Sequence, residues 1–423
     1  MEKFKTIKIN MIYKLFATVL LIVSGTMVRA QEAVKNLDYY LSQARLSSPV
    51  LKDFENQRKS AGIDSLIIRA TAKPQVTGTG TGLYAPIIHG YGYDEVITNG
   101  QALEAMLNVN YDLLNKKRIN NQLEGIRIQS DSLRYAGQLS LFDLNKSIID
   151  QYVTAFAGQQ QVDFNREVVA LLDREEKLLK TLTRSNIYKQ SEYLTFLVTL
   201  QQQQLSLKQA ELQFKNDYAT LNYLAGITDT TQVSLAAPKL QSEVFSGDKS
   251  FFTKRFELDS IKNINLRKGI DLNYKPKLGI HANGGYSSSL VLQPYKNFGA
   301  SLGFTFSVQI YDGHQRKMQY DKLAISSNTV AGYREFFTRQ RTQQINLIRQ
   351  QLSQTDALFG KINEQIRLSK GLIDVDSKLL HTGDLKVSDF IIAINNYLSA
   401  QNLLRQTNIN RLKLINQFNY WNR

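Results

Sequence analysis

The sequence predicts a mainly α-helical chain with a small β component, built from two copies of a long helical hairpin that two strands precede. Three observations support this fold class. A shift of 197 residues places Asn222 on Asn419 and aligns the preceding helical stretches without a gap, which indicates a tandem duplication. None of the six prolines lies within 115–225 or 313–423, as long helices require. Two segments alternate apolar with small or polar residues, which predicts half-buried strands.

The N-terminal segment, residues 1–30, predicts a secretory signal peptide. It begins with scattered lysines, continues with the apolar run Leu15–Ser24, and ends with Val28 and Ala30 at the positions that precede a cleavage site. The sequence contains no cysteine. We therefore expect no disulfide bond and no lipid anchor attached through cysteine.

The chain is strongly basic, with a formal net charge of +15. Residues 1–30 hold five Lys or Arg and one Glu, so the remaining chain carries about +11. A basic balance can indicate nucleic-acid binding, but an exported protein does not meet nucleic acid, and we expect no such partner. The charge predicts a basic surface that attracts anionic lipid or an acidic protein.

The duplication divides the chain into two repeats. The boundaries predicted from the sequence are 31–227 for the first repeat, 228–250 for a polar linker and 251–423 for the second repeat. In each repeat a short helix, two strands, a very long helix and a returning helix follow one another. The returning helices carry apolar residues at alternating spacings of four and three, which is typical of a coiled coil.

The second strand of each repeat has the clearest alternation. In the first repeat Leu107 and Val109 alternate with Asn108 and Asn110, and in the second the segment 298–310 follows the same pattern. Glycines and polar residues on one face argue against a packed core there and favour a barrel with lipid outside and water inside. The predicted lumen-facing residues are Thr305, Ser307, Asn108 and Asn110. The predicted lipid-facing residues are Phe304, Phe306, Leu107 and Val109.

The number of strands sets how many chains a barrel requires. No run of eighteen apolar residues follows the signal segment, so only the strands could cross a membrane. Strands in lipid must close into a barrel, because lipid offers no hydrogen-bond partners to the backbone groups of an open sheet edge. Four strands per chain are too few. Two chains would give a narrow eight-stranded barrel filled by side chains, and three would give twelve strands with room for a water-filled channel.

The order of these segments resembles the TolC-like outer-membrane efflux protein family. The resemblance rests on the duplicated plan, on the strand-to-helix segment Ile310–Ala324, on "TGDLKVSDF" at Thr382–Phe390 and on "LNYLAG" at Leu221–Gly226. It implies a homotrimer that forms a twelve-stranded barrel in the outer membrane of a Gram-negative bacterium, continued by an α-helical tunnel in the periplasm. It also implies an outer-membrane lipid environment, a periplasmic adaptor protein and an inner-membrane transporter as partners, in efflux or type I secretion.

The resemblance also implies a periplasmic gate of acidic residues just after the hairpin turn. Asp389 and its repeat equivalent Glu192 take this position, and Asp384 is a further candidate. The turn itself comprises Gly383, Ser388 and the equivalent Ser191. Two family features are missing, because Ile392 replaces a second acid and Leu385 replaces a basic latch. A role of Asp389 in helix capping beside Ser388 is an equal alternative.

The sequence does not favour an enzyme. The four histidines are scattered without the spacing of metal ligands, and neither a phosphate-binding loop nor a nucleophile elbow is present. We therefore predict a protein without catalytic residues, metal or cofactor. The competing hypothesis is a secreted coiled-coil scaffold or adhesin, which explains export and helices but leaves the polar, glycine-rich strand face unexplained.

Overall fold

The structure is a computed structural model, and it describes residues 34–94, 96, 100–229, 231–243, 250–290 and 293–423. The predicted signal peptide lies outside these residues. The helices and strands follow in the order α1 Leu37–Ser47, α2 Pro49–Thr71, β1 Gln75–Tyr84, β2 Gln101–Asp112, α3 Lys116–Arg184, α4 Gln190–Ala225, α5 Lys254–Asn273, β3 Lys277–Ser288, β4 Phe298–Ser307, α6 Gln315–Thr382 and α7 Val387–Trp421.

The duplicated order of elements is present in the structure. The long helices α3 and α6 have 69 and 68 residues, about 100 Å each at 1.5 Å per residue. The returning helices begin at Gln190 and Val387, which are 197 residues apart as the repeat predicts. Helix α4 ends at Gly226, whose φ of 68° is left-handed and whose N–H bonds to the carbonyl of Asn222. Glycine adopts this conformation without steric cost.

The four strands form one antiparallel sheet in the order β1-β2-β3-β4. The sequence pattern predicted that β4 extends to Ile310, but the strand ends at Ser307, which pairs with Lys277 at the start of β3. The residue before Lys277 is Pro276. Proline has no N–H to continue the ladder, so the apolar residues that follow Ser307 have no strand to pair with.

The chain is divided into two compact units, and each unit contains segments from both sequence repeats. The first unit comprises, within the described chain, 34–48, 144–242 and 348–418. Its main core is formed by apolar residues of α3, α4, α6 and α7, among them Leu172, Phe196 and Phe390, which are fully buried. A second core joins α1, α3 and α4 around Tyr152. The repeat boundaries predicted from the sequence stay a prediction.

The second unit comprises 49–143, 243–347 and 419–423 and contains the sheet. Near the C-terminus its core is aromatic: the ring of Phe252 lies 5.3 Å from that of Tyr420 and 5.5 Å from that of Trp421. The Ser250 hydroxyl donates to the carbonyl of Arg423 at 2.8 Å, so the last residues are held against the start of the second repeat.

Among the described residues, no helix combines the length and the apolar character that crossing a bilayer requires.

Candidate functional site

The two hairpin turns, residues 185–189 and 383–386, have equivalent backbone geometry. Asn186 and Gly383 occupy the same repeat position, and both are left-handed, with φ of 63° and 84°. Asparagine and glycine are the residues that tolerate this region best. A Cβ atom on Gly383 would lie only 2.6 Å from Cγ2 of Ile187. Glycine is therefore required at this position both by the backbone and by the first turn, which packs against it.

Tyr188 joins the first hairpin turn to the second. Its hydroxyl donates to the main-chain oxygens of Leu385, at 2.9 Å, and Leu380, at 3.1 Å. The side chain is buried, and burial raises the pKa of its hydroxyl above the usual value. The group therefore stays a hydrogen-bond donor at any physiological pH.

Apolar packing supports the same connection between repeats. The rings of Phe196, in α4, and Phe390, in α7, are stacked with centroids 6.4 Å apart. Both side chains are fully buried, together with Leu380 and Val387. The turn region is thus a packed joint between the two hairpins of one chain.

The predicted gate residues lie in the first turns of the returning helices or just before them. The carboxylate of Glu192 accepts the main-chain N–H of Lys189 at 3.1 Å, which caps the start of α4. Asp389 is in the first turn of α7 and accepts the hydroxyl of Ser388 at 3.2 Å. Asp384 accepts the hydroxyl of Thr382 at 2.7 Å.

Asp384 and Asp389 are exposed, whereas Glu192 is half-buried. Ser191 is exposed as well, and its main-chain oxygen accepts the hydroxyl of Thr195 at 2.9 Å. In the described part of this single chain, no hydrogen bond connects Glu192 with Asp389 or Asp384. Glu192 caps a main-chain N–H of its helix, whereas Asp389 accepts only the hydroxyl of the adjacent Ser388. The gate role of these residues stays a prediction.

Sequence reasoning missed a polar cluster behind the turns. Glu175, in α3, has a side chain only 9% exposed, and its carboxylate lies 3.2 Å from Nε2 of His381 in α6. The Ser377 hydroxyl donates to the same carboxylate at 3.1 Å. The three side chains connect the two repeats. Because more than 200 residues separate Glu175 from its partners, no spacing rule could have found them.

Asp376 is a second buried acid in this region, and it lies on α6 near Asp389. Burial is the first cause that raises the pKa of Asp376, and the negative charge of Asp389 is the second. Asp376 is only 7% exposed. The turn region therefore contains a buried carboxyl group whose protonation depends on a predicted gate residue.

The strand register separates the predicted strand residues into two faces. Directly paired residues of an antiparallel sheet project from the same face. One continuous polar row consists of Thr77, Asn108, Asn283 and Ser301, and within it Ser301 donates to Asn283 at 2.8 Å. By strand alternation the four predicted lumen-facing residues, Thr305, Ser307, Asn108 and Asn110, all lie on this polar face.

The opposite face carries the four predicted lipid-facing residues, Phe304, Phe306, Leu107 and Val109. Of these, Phe304 is 77% exposed. At the start of β4 the ring centroids of Tyr286 and Phe298 lie 5.2 Å apart. Aromatic residues therefore flank the apolar face at both ends, and the sheet has one apolar and one polar face without a core on either.

No metal centre is apparent among the described residues, because no group of three His, Cys, Asp or Glu side chains is placed to hold an ion.

Comparison with known proteins identifies the fold. No protein-family model and no curated protein matches the sequence. Solved structures do match: CusC, described in connection with transmembrane channel formation, has a TM-score of 0.77 at 12% identity over 93% of each chain. The CmeC outer membrane channel of Campylobacter jejuni has a TM-score of 0.71 at 12% identity, covering 91% of this chain and 85% of its own. The chain has the outer-membrane channel fold.

The outer-membrane channel fold is also that of MtrE of Neisseria gonorrhoeae, whose open state matches with a TM-score of 0.70 at 12% identity over 91% of this chain and 88% of its own. The comparisons confirm the predicted fold class at the level of one chain, with its four strands and duplicated long hairpins. They also confirm the fold implied by the TolC-like resemblance. The roles predicted for individual residues of the hairpin turns and strand faces stay predictions.

Proposed function

We propose that this protein is a subunit of an outer-membrane channel that serves as the exit duct of a tripartite efflux or type I secretion system. In this role it lets substrates pass through its pore and catalyses no reaction. The observation that carries this proposal is the sheet with one polar and one apolar face, attached to long hairpins in the outer-membrane channel fold. Water on one side and lipid on the other satisfy both faces of such a sheet.

The proposed assembly is a homotrimer. In the described chain, β1 and β4 are each paired on one side only. An unpaired strand edge in hydrocarbon leaves its N–H and C=O groups without partners, and each such group costs several kcal/mol. Pairing β4 of one chain with β1 of the next removes the edges. Three chains give twelve strands, enough to enclose water, which suits the polar row that contains Asn108 and Asn283.

The height of the apolar face is close to that of the apolar band in outer-membrane barrels. The outward residues of β4 run from Phe298 to Phe306, about 26 Å along the strand at 3.3 Å per residue, which is about 20 Å of height at a strand tilt of about 40°. Barrels of bacterial outer membranes carry an apolar band of about 25 Å with aromatic residues at both borders. We therefore place the sheet across the outer membrane and the long helices in the periplasm of a Gram-negative cell.

The proposed partners are a periplasmic adaptor and an inner-membrane transporter. The hairpin turns follow the C-terminal ends of α3 and α6, and they are the parts of the chain that we propose to meet these partners. We propose that Asp389 lines a gate there, with Asp384 as a further contributor and Glu192 mainly a helix cap. Support for this comes from the exposure of Asp389 and from its position in the first turn of α7.

Two measurements on the purified full chain test the proposal. The mass of the detergent-solubilised protein should correspond to three chains, and a monodisperse monomer or dimer would contradict the architecture. In planar bilayers the protein should form a water-filled, ion-conducting pore. A secreted scaffold or adhesin would give no conductance and would leave the membrane fraction after a carbonate wash, whereas a channel stays in it.

Loss-of-function experiments test the partner assignment. Deletion of the gene should reduce export of a toxic compound or secreted protein, and the full-length protein should restore it. A trimer that conducts ions without any effect on export would uphold the channel and reject the tripartite role.

A further inference from the structure

The basic residues of the chain are concentrated where strands join helices. We define the basic collar as the segments 69–75, 112–118, 267–277 and 312–322, which hold twelve Lys or Arg and four Asp, a net charge of +8 out of +15 for the whole sequence. The loop segments at the other end of the strands, 85–100 and 289–297, hold one Lys and two acids. The charge is therefore confined to one end of the sheet.

The strand register brings the four segments of the collar together. Gln75 is paired with Asn110, two residues before the end of β2, and Lys277 is paired with Ser307, the last residue of β4. All four strands thus reach the collar at the same edge, with neighbouring strands about 4.8 Å apart. The collar is a continuous basic band across the sheet.

The charges in this band do not serve the stability of the helices. Lys116 and Lys117 lie in the first turn of α3, and Arg316 and Lys317 in the first turn of α6, and neither turn contains an acidic residue. A cation at a helix N-terminus is unfavourable because the helix dipole is positive there. At the start of α6 the carboxylate of Asp312 accepts the main-chain N–H of Arg316 at 2.8 Å, which offsets part of this cost within the chain. At the start of α3 the charges of Lys116 and Lys117 disfavour the helix, and an anion from outside the chain would offset that cost.

Few charges of the collar are neutralised internally. Arg316 pairs with Asp271 at 2.7 Å, and Arg118 donates to three main-chain oxygens around Pro276. By contrast, no lysine of the collar forms an ion pair with a carboxylate in the part of the chain that the structure describes. Lys116, Lys117 and Lys275 are exposed, so their ammonium groups are available to a ligand.

The collar borders directly on apolar surface. Lys277 precedes Leu278, which is paired with Phe306 on the apolar face. Beyond β4, Ile310 is 93% and Tyr311 76% exposed. Aliphatic and aromatic side chains mixed with lysines suit the boundary between hydrocarbon and headgroups, because the lysine stems lie along the apolar part while the ammonium groups reach the headgroups.

We infer that the basic collar binds the headgroups of anionic phospholipids in the membrane leaflet that surrounds the helix end of the sheet. This inference rests on the proposed function, because it requires the sheet to lie in a bilayer. The ligand is a phosphodiester headgroup with a net negative charge, such as that of phosphatidylglycerol. A soluble polyanion would match the charge but would leave Ile310 and Tyr311 without an apolar partner.

The test uses the full-length trimer reconstituted in phosphatidylcholine with spin-labelled phosphatidylglycerol or spin-labelled phosphatidylcholine as the probe. The motionally restricted fraction of each probe reports the lipid at the protein surface. We expect a preference for phosphatidylglycerol of about fivefold, the factor for one lysine near an anionic surface, and its loss in 0.5 M salt because ions screen the attraction.

A collar variant and a matched control separate this inference from a general effect of charge. The variant with Lys116, Lys117, Lys275 and Lys277 each changed to Gln removes half of the eight collar lysines and should lower the preference to about twofold or less. The control changes Lys177, Lys180, Lys361 and Lys370 to Gln, exposed lysines of α3 and α6 outside the collar, and should keep the preference. The trimer mass and the conductance of both variants check their folding.

The outcomes distinguish the two proposals. An absence of restricted lipid with either probe would contradict the proposed insertion of the sheet itself. A restricted fraction without headgroup preference, or one that the collar variant retains, would overturn the lipid inference alone. Loss of co-sedimentation with purified peptidoglycan in the collar variant, with the lipid preference unchanged, would show a cell-wall ligand and would overturn it too.

Discussion

The hydroxyl group of Tyr188 donates a hydrogen bond of 2.9 Å to the main-chain oxygen of Leu385, and these two residues are 197 positions apart, at the same place in the two repeats. The duplication thus produced an asymmetric joint from equivalent positions. In one copy the residue became a buried aromatic donor, and in the other its backbone became the acceptor. The resemblance seen in the sequence implies a basic latch at position 385, where this chain has Leu385, and Tyr188 provides a different connection to that position.

Changing Tyr188 to Phe should destabilise the hairpin turns. The substitution keeps the ring but removes the donor to the carbonyls of Leu380 and Leu385. A buried acceptor that loses its partner costs about 1–3 kcal/mol, so the thermal unfolding midpoint should fall and the channel should open more often in planar bilayers.

Tyr193→Phe is the matched control for this experiment. The Tyr193 hydroxyl bonds to Glu176 at 2.5 Å, within the first hairpin, and its side chain is less buried. We expect little change in channel opening from this variant. If both variants affected opening equally, the joint between the repeats would not be what holds the turns.

The left-handed turn positions give a second prediction. Gly383→Ala should lower the free energy of unfolding by about 1–2 kcal/mol, the cost of placing a Cβ in the left-handed region, and the contact with Ile187 adds to it. Asn186→Gly, at the equivalent position, should be close to neutral because this backbone already adopts φ of 63°. Denaturation midpoints of both variants measure the difference. A neutral Gly383→Ala would show that the turn can relax.

The periodic features of the fold could be predicted from the sequence. A repeat of 197 residues, the absence of proline from the long helices and alternation in β2 and β4 are local or self-similar signals, and they gave the element order and the division of strand faces. The predicted end of β4 was wrong. The apolar alternation continues to Ile310, whereas strand pairing stops at Ser307, because Pro276 in the neighbouring chain segment has no N–H to donate.

The contacts of the hairpin turns could not be predicted from the sequence. Glu175, Ser377 and His381 come together only because two hairpins pack side by side, and no spacing in the chain encodes that approach. Glu192 illustrates the opposite limit. The resemblance predicts a gate role at this position, yet the carboxylate of Glu192 accepts the N–H of Lys189, a contact that capping-box spacing could have suggested.

The two sheet faces predict opposite labelling behaviour. Since the chain has no cysteine, single cysteines can replace Asn108 and Thr305 on the polar face, and Leu107 and Phe304 on the apolar face. In reconstituted trimers a membrane-impermeant thiol reagent should label positions 108 and 305 and leave 107 and 304 largely unlabelled. All four should react after denaturation. Equal labelling of both faces in the bilayer would contradict the assignment of lumen and lipid.

The buried Asp376 predicts a pH dependence of stability. Its pKa is raised in the folded state, so the folded protein binds this proton more tightly than the unfolded chain does. Its contribution to stability is therefore fully present below the unfolded value of about 3.9 and is lost as the pH rises through the raised folded value. Asp376→Asn should raise the unfolding midpoint at pH 7 and have little effect below about pH 4.

Two comparisons support the interpretation of that experiment. Asp374→Asn changes an exposed acid on the same helix and should not reproduce the gain at pH 7. In the Asp389→Asn background the gain from Asp376→Asn should be smaller, because one of the two causes of the raised pKa is then absent. An unchanged gain in that background would mean that Asp389 does not act on Asp376.

The last prediction concerns the gate. Three copies of Asp389 around a threefold axis would gather carboxylates in a constriction, where they repel one another and attract cations. Asp389→Asn removes three charges from the trimer and should reduce cation selectivity and block by multivalent cations in planar bilayers. Salt should weaken the block in the unmodified protein, because exposed charges are screened over about 10 Å at 0.1 M.

Glu192→Gln is the comparison that separates gating from helix capping. The carboxylate of Glu192 accepts the N–H of Lys189, so this variant should lose about 0.5–1 kcal/mol of stability, the lower part of the range for a lost cap, with a smaller change in selectivity. Asp389→Asn should show the reverse, because Asp389 accepts only a neighbouring hydroxyl, at 3.2 Å. If Asp389→Asn lowered the unfolding midpoint but left selectivity and block unchanged, Asp389 would be a capping residue and the gate would have to lie elsewhere.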